Sequence, residues 1–260
     1  MSECNIAEIQ RRSKENKMKY MGSKSRIAKH ILPIMLNEAK KHNIKVWVEP
    51  FVGGCGMIDK VPESFKRVGY DFNEHTIKAM IDIRDNVDKL PEIVTEEDYK
   101  LYKGTPPKTV TSWVRFVCSF GGKFENGYAR EKDTSKSAIE RGCVRNFAAE
   151  GKRNALRQSP KIQNVELICD SYENLDFENC LIYCDPPYKN TTGYKTGEFD
   201  YDKFYDWCRE QAKKNVVFVS EYEMPDDFEC VWQGEVKTNF ASNRKKATHN
   251  AVEKLFKVSN

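Results

Sequence analysis

The chain has 260 residues, of which 39% are hydrophobic and 12% aromatic, so it can form one large α/β domain with an insertion. Its 43 Lys and Arg against 39 Asp and Glu leave a formal net charge of +4, which does not by itself indicate nucleic-acid binding. Nine cysteines without a CxxC pair and four scattered histidines argue against a disulfide framework, and we expect no metal. No apolar run of membrane-spanning length occurs and the N-terminus lacks a signal core, so we expect a cytoplasmic protein without membrane contact.

The predicted elements alternate between strands and helices. Residues 1–16 are polar and are predicted to be a tail, and residues 23–42 have helical spacing in which Pro33 is expected to cause a kink or break. Further helices are predicted over 74–90 and 199–214, and strands over 45–51, 66–73, 165–171, 180–188 and 215–222. Such alternation predicts an α/β fold with a doubly wound, mostly parallel sheet, whose ligands bind at the carboxyl ends of the strands.

Residues 104–162 interrupt this alternation. From Lys100 to Lys161 the sequence holds 14 Lys and Arg against 5 Asp and Glu, a balance of +9 that leaves −5 for the remainder. Aromatic residues are interleaved with the basic ones, and the segment is rich in glycine. We therefore predict that 104–162 is an inserted, mainly helical module that faces phosphate, between the two parts of the α/β domain, 17–103 and 163–260.

A glycine-rich turn, "VGGCG", follows the strand that ends at Pro50, and Asp71 ends the next strand. Glycines let a ligand approach the backbone closely, and a carboxylate at the end of the second strand suits ribose hydroxyls. The turn lacks both the GxGxxG spacing and a Walker lysine. A nucleoside without a polyphosphate fits better, and S-adenosylmethionine is the candidate.

The stretch "NCLIYCDPPYKNTTGY" ends an apolar strand on Asp185-Pro186-Pro187-Tyr188. Asp185 precedes a proline and is driven to extended backbone, and neither proline has an N–H, so the turn presents acceptors only. A carboxylate, a rigid carbonyl at Pro186 and an aromatic face at Tyr188 suit a planar base with an exocyclic amino group. Cys184, beside this tetrapeptide, is expected to pack in the strand and not to act as a nucleophile.

Five motifs occur in an order that resembles the D12, or alpha, class of DNA adenine-N6 methyltransferases, the Dam-like group that includes many phage and orphan enzymes. They are "KYMGSK" (19–24), "EPFVGGCG" (49–56), "GYDFN" (69–73), "CDSYEN" (169–174) and "CDPPY" (184–188), and "NGYAR" (126–130) and "VEKLF" (252–256) are also similar to family segments. The resemblance covers about residues 17–258. It implies a seven-stranded Rossmann-like sheet, an inserted DNA-recognition domain at 104–162, and a bacterial or phage-infected cell.

The resemblance also implies the roles of individual residues. The cofactor-binding positions are Tyr20, Lys24, Phe51, Gly53, Gly54, Asp71, Asp170, Ser171 and Asp185, and the catalytic positions are Asp185, Pro186, Pro187 and Tyr188. Two positions depart from the family pattern. Cys55 replaces a glycine, which puts the tightness of the turn in question, and Ser171 replaces a phenylalanine, so that Tyr172 or Phe72 would stack on the cofactor adenine.

The expected reaction is transfer of a methyl group from S-adenosylmethionine to N6 of an adenine flipped out of double-stranded DNA, with no obligate protein partner. The candidates for DNA contacts are Arg115, Lys123, Arg130, Arg141 and Arg145, with 244–250 as a further backbone contact and 189–197 as a lip over DNA. Three alternatives are open: a cytosine-N4 methyltransferase, a catalytically inactive DNA-binding relative, and a protein-glutamine methyltransferase. A partner nuclease and the recognition sequence are not predicted.

Overall fold

The computed structural model describes residues 20, 23–188, 199–237 and 250–259. The predicted tail at 1–16, the lip at 189–197 and nearly all of the segment 244–250 lie outside the described residues. Within the described part of the chain, no helix is long and apolar enough to cross a membrane. Nor do three or more His, Cys, Asp or Glu side chains come together there as a metal site.

The strands form one sheet, which has seven members among the described residues. They are β1 (Val46–Glu49), β2 (Lys66–Asp71), β3 (Val165–Cys169), β4 (Leu181–Cys184), β5 (Val216–Glu221), β6 (Phe228–Lys237) and β7 (Asn250–Val258), in the order β3-β2-β1-β4-β5-β7-β6. The pairs β1–β2, β1–β4 and β4–β5 are parallel, and β7 is antiparallel to both β5 and β6. The predicted doubly wound, mostly parallel α/β sheet is confirmed.

Seven α-helices accompany these strands in the part of the chain that the structure describes. They are α1 (Ala28–Lys41), α2 (Glu74–Asp85), α3 (Glu96–Tyr102), α4 (Thr111–Val117), α5 (Lys136–Arg141), α6 (Phe147–Gln158) and α7 (Tyr201–Ala212). Asn73 caps α2 by accepting a hydrogen bond from the His75 N–H at 3.0 Å. Helix α1 continues through Pro33, so the break expected at this residue is absent.

The chain divides into two compact units. The strand-rich unit contains Ile27–Val52, Val61–Phe72 and the described residues from 170 onward. Its core is built from buried side chains of β1, β4, β5, β7 and α7, of which Ile182, Phe204 and Val219 are fully buried. The apolar run of β4 is buried at all four positions because this strand lies between two parallel neighbours.

The helical unit contains residues 20 and 23–26, Gly53–Lys60 and Asn73–Cys169. Helices α4 and α6 pack closely at Gly151, where an added Cβ would lie 2.2 Å from Val117 Cγ1. The predicted insert boundaries at 104 and 162 do not coincide with the limits of this unit, which also includes α2 and the Gly53–Lys60 loop. It stays a prediction that 104–162 recognises DNA and that the flanking segments form the catalytic domain.

Candidate active site at the carboxyl edge of the sheet

Acidic residues end the parallel strands of the strand-rich unit. Glu49 ends β1, Asp71 ends β2, Glu221 ends β5, and Asp185 directly follows β4. Because these strands are parallel, the four carboxylates lie along one edge of the sheet. Glu49 and Glu221 are buried, and Glu49 accepts a hydrogen bond from the Trp47 indole at 2.9 Å. This edge is therefore strongly acidic.

The Asp185–Tyr188 tetrapeptide leaves the middle of this edge. Asp185 is half-buried, Pro186 is buried, and the Pro187 carbonyl accepts a hydrogen bond from the Tyr201 hydroxyl at 3.0 Å. Tyr188, which the sequence predicted as an exposed aromatic face, is only 9% exposed. Its hydroxyl donates to Glu253 Oε2 at 2.7 Å, and its ring lies edge-on to Tyr222 with centroids 4.7 Å apart. The last two residues of the tetrapeptide are thus held by hydrogen bonds, Pro187 through its carbonyl and Tyr188 through its hydroxyl.

The titratable groups beside Asp185 are held in their neutral forms. Burial, together with the charges of Asp185 and Glu253, raises the pKa of Tyr188 well above its usual value, and the same causes act on Tyr183. Burial raises the pKa of the Cys184 thiol well above its usual value, and this side chain is fully buried. Cys184 is therefore a packing residue and no thiolate nucleophile is available from it.

Phe51 and Tyr172 belong to an aromatic cluster in the strand-rich unit. The Phe51 ring centroid lies 5.4 Å from that of Tyr172 and 5.6 Å from that of Phe204. Tyr172 is 6% exposed and also contacts Trp207, so its faces are covered by protein. Of the two residues predicted as the adenine-stacking ring, Tyr172 is buried, whereas Phe72, next to Asp71, is 67% exposed.

Asp71 is half-buried at the end of β2, where the sequence predicted a ribose-binding acid. Asp170 follows β3, and its Oδ1 accepts hydrogen bonds from the Ser171 N–H at 2.7 Å and the Asn174 amide at 2.8 Å. The Ser171 hydroxyl caps the short helical turn Tyr172–Asn174. These hydrogen bonds all join residues of the motif "CDSYEN", so the motif forms a turn that its own side chains stabilise.

In the helical unit, the glycine loop is covered by Tyr20. A Cβ added to Gly53 would lie 2.9 Å from Tyr20 Cε1, and one added to Gly54 would lie 2.7 Å from Tyr20 Cβ. Gln158, at the end of α6, is fully buried and donates to the Gly54 carbonyl at 2.9 Å. The two glycines are therefore required for the approach of Tyr20, and Gln158 fixes the loop backbone.

The glycine loop accommodates Cys55 in place of a glycine. Cys55 adopts φ +56°, the left-handed conformation that glycine favours, at a strain of about 1 kcal/mol. The Gly56 carbonyl accepts from the Ser25 hydroxyl at 2.9 Å and from Lys60 Nζ at 2.7 Å. Lys24 is buried beside Ser25 in the same short helical turn.

Arg115, which the sequence predicted as a DNA contact, is not a surface residue. The side chain is 2% exposed, pairs with Glu125 at 2.7 Å and donates to the Thr105 carbonyl at 2.5 Å. The guanidinium also lies 4.5 Å from the centre of the Phe124 ring. The guanidinium therefore connects α4 to Thr105 and Glu125, and it is inaccessible to a phosphate in this structure.

The other predicted DNA contacts are accessible. Arg130 is exposed and pairs with Glu96 at 2.8 Å, Arg141 pairs with Glu131, and Arg145 pairs with Glu150. Lys123 is half-buried. A groove of about 310 Å³ is lined by Arg130, Arg145 and the apolar residues Ile93 and Val144. Two of the predicted arginines therefore border the same groove of the helical unit.

Sequence reasoning missed the residues that hold the motifs in place. Glu253, Tyr201 and Tyr222 contact the tetrapeptide or its tyrosine, and Gln158 contacts the glycine loop. Of these residues, only Glu253 lies in a segment that resembles the family, "VEKLF", and the resemblance implied no function for Glu253. Contacts between positions 65 or 104 residues apart have no local pattern by which they could be found.

The chain is similar to known methyltransferases. Residues 20–109 match the family model for D12 class N6 adenine-specific DNA methyltransferases. Type II methyltransferase M.MjaIII of Methanocaldococcus jannaschii is 26% identical over 212 residues, which cover 71% of this chain and 73% of that protein. Type II methyltransferase M.FokI of Planomicrobium okeanokoites is 24% identical over 228 residues, 76% of this chain but only 32% of that protein.

Two solved structures also resemble the chain, both at 9% identity. A putative methyltransferase, SMU.472, complexed with SAH has a TM-score of 0.38 and matches 83% of this chain and 48% of its own. The putative methylase HI0767 from Haemophilus influenzae has a TM-score of 0.37 and matches 90% of this chain and 99% of its own. These similarities are too low to add to what the sheet order shows.

The similarity to D12 class N6 adenine-specific DNA methyltransferases over residues 20–109 agrees with the family that the motifs resemble. The family model and both relatives describe methyltransferases, which is the class of enzyme that the motifs predicted.

Proposed function

We propose that this protein transfers a methyl group from S-adenosylmethionine to N6 of an adenine that is flipped out of double-stranded DNA. The observation that supports this function is the position of the Asp185–Tyr188 tetrapeptide. It follows a fully buried strand in the middle of the parallel sheet, at an edge that also carries Glu49, Asp71 and Glu221. Ligands of such sheets bind at this edge, where the sheet order reverses between β1 and β4.

The donor set of the strand-rich unit fits the proposed cofactor. S-adenosylmethionine would supply a methyl group on a positively charged sulfonium. Asp71 would accept from the ribose hydroxyls, and the exposed ring of Phe72 would cover one face of the adenine. The acidic edge, of which Asp185 is part, would favour the sulfonium charge. Phe51, Asp170 and Ser171 would shape the adenine side, the first through its ring and the others through the turn that they close.

In the helical unit, Tyr20 and the glycine loop fit the same role. Gly53 and Gly54 expose backbone without side chains, and Tyr20 closes over them. Gln158 would keep the Gly54 peptide in one orientation, because its amide donates to that carbonyl from a fully buried position. Lys24, in the turn after Tyr20, is proposed to contact the carboxylate end of the cofactor.

Asp185 and the Pro186 carbonyl would accept the two hydrogens of the adenine amino group. The amino nitrogen is a weak nucleophile because its lone pair is delocalised into the ring, and acceptors in these positions favour a pyramidal nitrogen. They would also stabilise the positive charge that develops on N6 while the new N–C bond forms, after which the nitrogen releases a proton to solvent. Each preorganised contact of this kind contributes about 3 kcal/mol. Pro187 would fix the backbone, and Tyr188 would contact the base.

The helical unit would bind the DNA. Lys123, Arg130, Arg141 and Arg145 are proposed to contact phosphates, and a few of these contacts offset the cost of base flipping, which is a few kcal/mol. Arg141 and its partner Glu131 are half-buried, whereas Arg130 with Glu96 and Arg145 with Glu150 are surface pairs. Exposed pairs of this kind contribute about 0–1 kcal/mol, so a phosphate can replace the glutamate at little cost.

The test is the modified base itself. DNA from cells that express the wild-type protein should contain N6-methyladenine, detected by mass spectrometry of nucleosides, and DNA from cells with Asp185→Ala should not. Purified Asp185→Ala should bind duplex DNA within about two-fold of wild type while its methyl-transfer rate falls by at least about 10²-fold. Exposed Asp226→Ala is the control. Only N4-methylcytosine in the DNA, or full activity of Asp185→Ala, would refute the proposal.

A further inference from the structure

The side chain of Tyr188 is held at both ends. Its hydroxyl donates to Glu253 Oε2 at 2.7 Å, and its ring edge meets Tyr222 at a centroid distance of 4.7 Å and an interplanar angle of 86°. A distance of 2.7 Å is that of a charge-assisted O–H···O⁻ bond. The raised pKa of Tyr188, caused by burial and by the charges of Asp185 and Glu253, keeps the hydroxyl protonated and able to donate.

Strand β7 brings Glu253 to this position. The strand runs antiparallel to β5 with Glu221 opposite Lys254, so Glu253, one residue earlier, lies at the carboxyl edge of β5. A residue 65 positions after Tyr188 thereby reaches the loop that follows β4. The neighbours of Glu253 on β7, Val252 and Lys254, point away from Tyr188 because side chains alternate along a strand.

Tyr222 is fixed independently of Tyr188. Its backbone N–H donates to Glu221 Oε1 at 2.7 Å, and Glu221 is buried at the end of β5. The backbone of Tyr222 is therefore fixed, and its ring packs edge-on against the Tyr188 ring. With one contact on the ring and one on the hydroxyl, the plane of the Tyr188 ring has a single orientation.

We infer that Glu253 is a positioning residue for methyl transfer, which acts through the Tyr188 hydroxyl by fixing the ring plane that the flipped adenine meets. The inference rests on the proposed function. Without the bond, the ring would turn about its side-chain torsions, and a displacement of about 1 Å at a reacting group can cost about 10²-fold in rate.

The test is a double-mutant cycle in single-turnover methylation assays with purified full-length protein. Glu253→Ala should lower the rate by about 10- to 100-fold, with the affinity for S-adenosylmethionine within two-fold of wild type. Glu253→Gln, whose amide oxygen can still accept, should recover most of that rate. In a Tyr188→Phe background, Glu253→Ala should have no further effect, because the hydroxyl that it binds is already absent.

A duplex with 2-aminopurine at the target base gives a second readout. Stacking on an ordered ring quenches its fluorescence, so Glu253→Ala should leave the flipped base brighter than wild type does, and Glu253→Gln should not. Val252→Ala, an exposed neighbour on β7, is the matched control and should change neither readout. Thermal melting of each variant separates loss of folding from loss of positioning.

Equal losses from Glu253→Ala in the wild-type and Tyr188→Phe backgrounds would overturn the inference, as would a rate of Glu253→Ala equal to wild type. Either result leaves the proposed function intact if wild type methylates adenine and Asp185→Ala does not. Absence of adenine methylation by wild type would instead refute the proposed function.

Discussion

In the strand-rich unit, the acids that we propose for the site stand at the ends of parallel strands, and the strand backbone sets their positions. In the helical unit, by contrast, most charged residues named above pair with one another at the surface. Asp71 and Asp185 are held by β2 and β4, which are part of a continuous hydrogen-bonded sheet. Arg130 and Arg145 are held by single glutamates, Glu96 and Glu150. The first arrangement fixes geometry to the precision that a reaction needs, and the second leaves cations that can exchange partners.

Arg115 is the exception that defines this difference, because it is a basic residue of the helical unit with the burial of a core residue. Arg130 has the same charge and lies in the same basic segment of the sequence, yet it is exposed. Charge in the sequence therefore identifies a basic segment but does not separate an arginine that stabilises the fold from one that is available to DNA.

The largest expected effect comes from Arg115→Ala. Its removal leaves the Glu125 carboxylate, 15% exposed, without its guanidinium partner, and we expect a loss of about 3 kcal/mol in the free energy of unfolding, measured by urea denaturation. Arg130→Ala is the matched control and should change stability by less than about 0.5 kcal/mol. A stable Arg115→Ala variant with weakened DNA binding would show that the sequence-based role was correct.

A smaller loss is expected from Gly151→Ala. The new Cβ would lie 2.2 Å from Val117 Cγ1 and 3.1 Å from Trp113 Cζ2, so α6 must move away from α4, at a cost of about 1–3 kcal/mol. Adding Val117→Ala should recover part of this loss, since it removes the clashing methyl group. Exposed Arg153→Ala, on the same helix, should be neutral. An unchanged unfolding midpoint for Gly151→Ala would contradict the close packing of the two helices.

The smallest effect on stability, but a distinct effect on binding, is expected from Arg145→Gln. Loss of one phosphate contact should weaken DNA binding several-fold and reduce the slope of log Kd against log salt concentration by about 1. Fluorescence anisotropy over a series of salt concentrations measures both quantities. Exposed Arg209→Gln, in the strand-rich unit, is the control. Identical slopes for wild type and Arg145→Gln would exclude a phosphate contact.

The sequence predicted the central part of the sheet well. The strands at 45–51, 66–73, 165–171 and 215–222 match β1, β2, β3 and β5 to within a few residues, since their apolar runs end on acids or turns. Strands β6 and β7 were not predicted individually. They are antiparallel edge elements, half-polar in sequence, and their pairing with β5 comes from contacts that only the folded chain brings together.

The sequence alone determined the parallel α/β sheet and the motifs at Gly53, Asp71 and Asp185, because strand ends and glycine turns are local patterns with a fixed chemical meaning. Only the tertiary structure decided which side chains hold those motifs and which arginines are accessible. Glu253 meets Tyr188 across 65 residues, Gln158 meets Gly54 across 104, and Arg115 turns inward towards Glu125. Burial and long-range hydrogen bonds depend on how distant segments pack, and no local pattern carries that information.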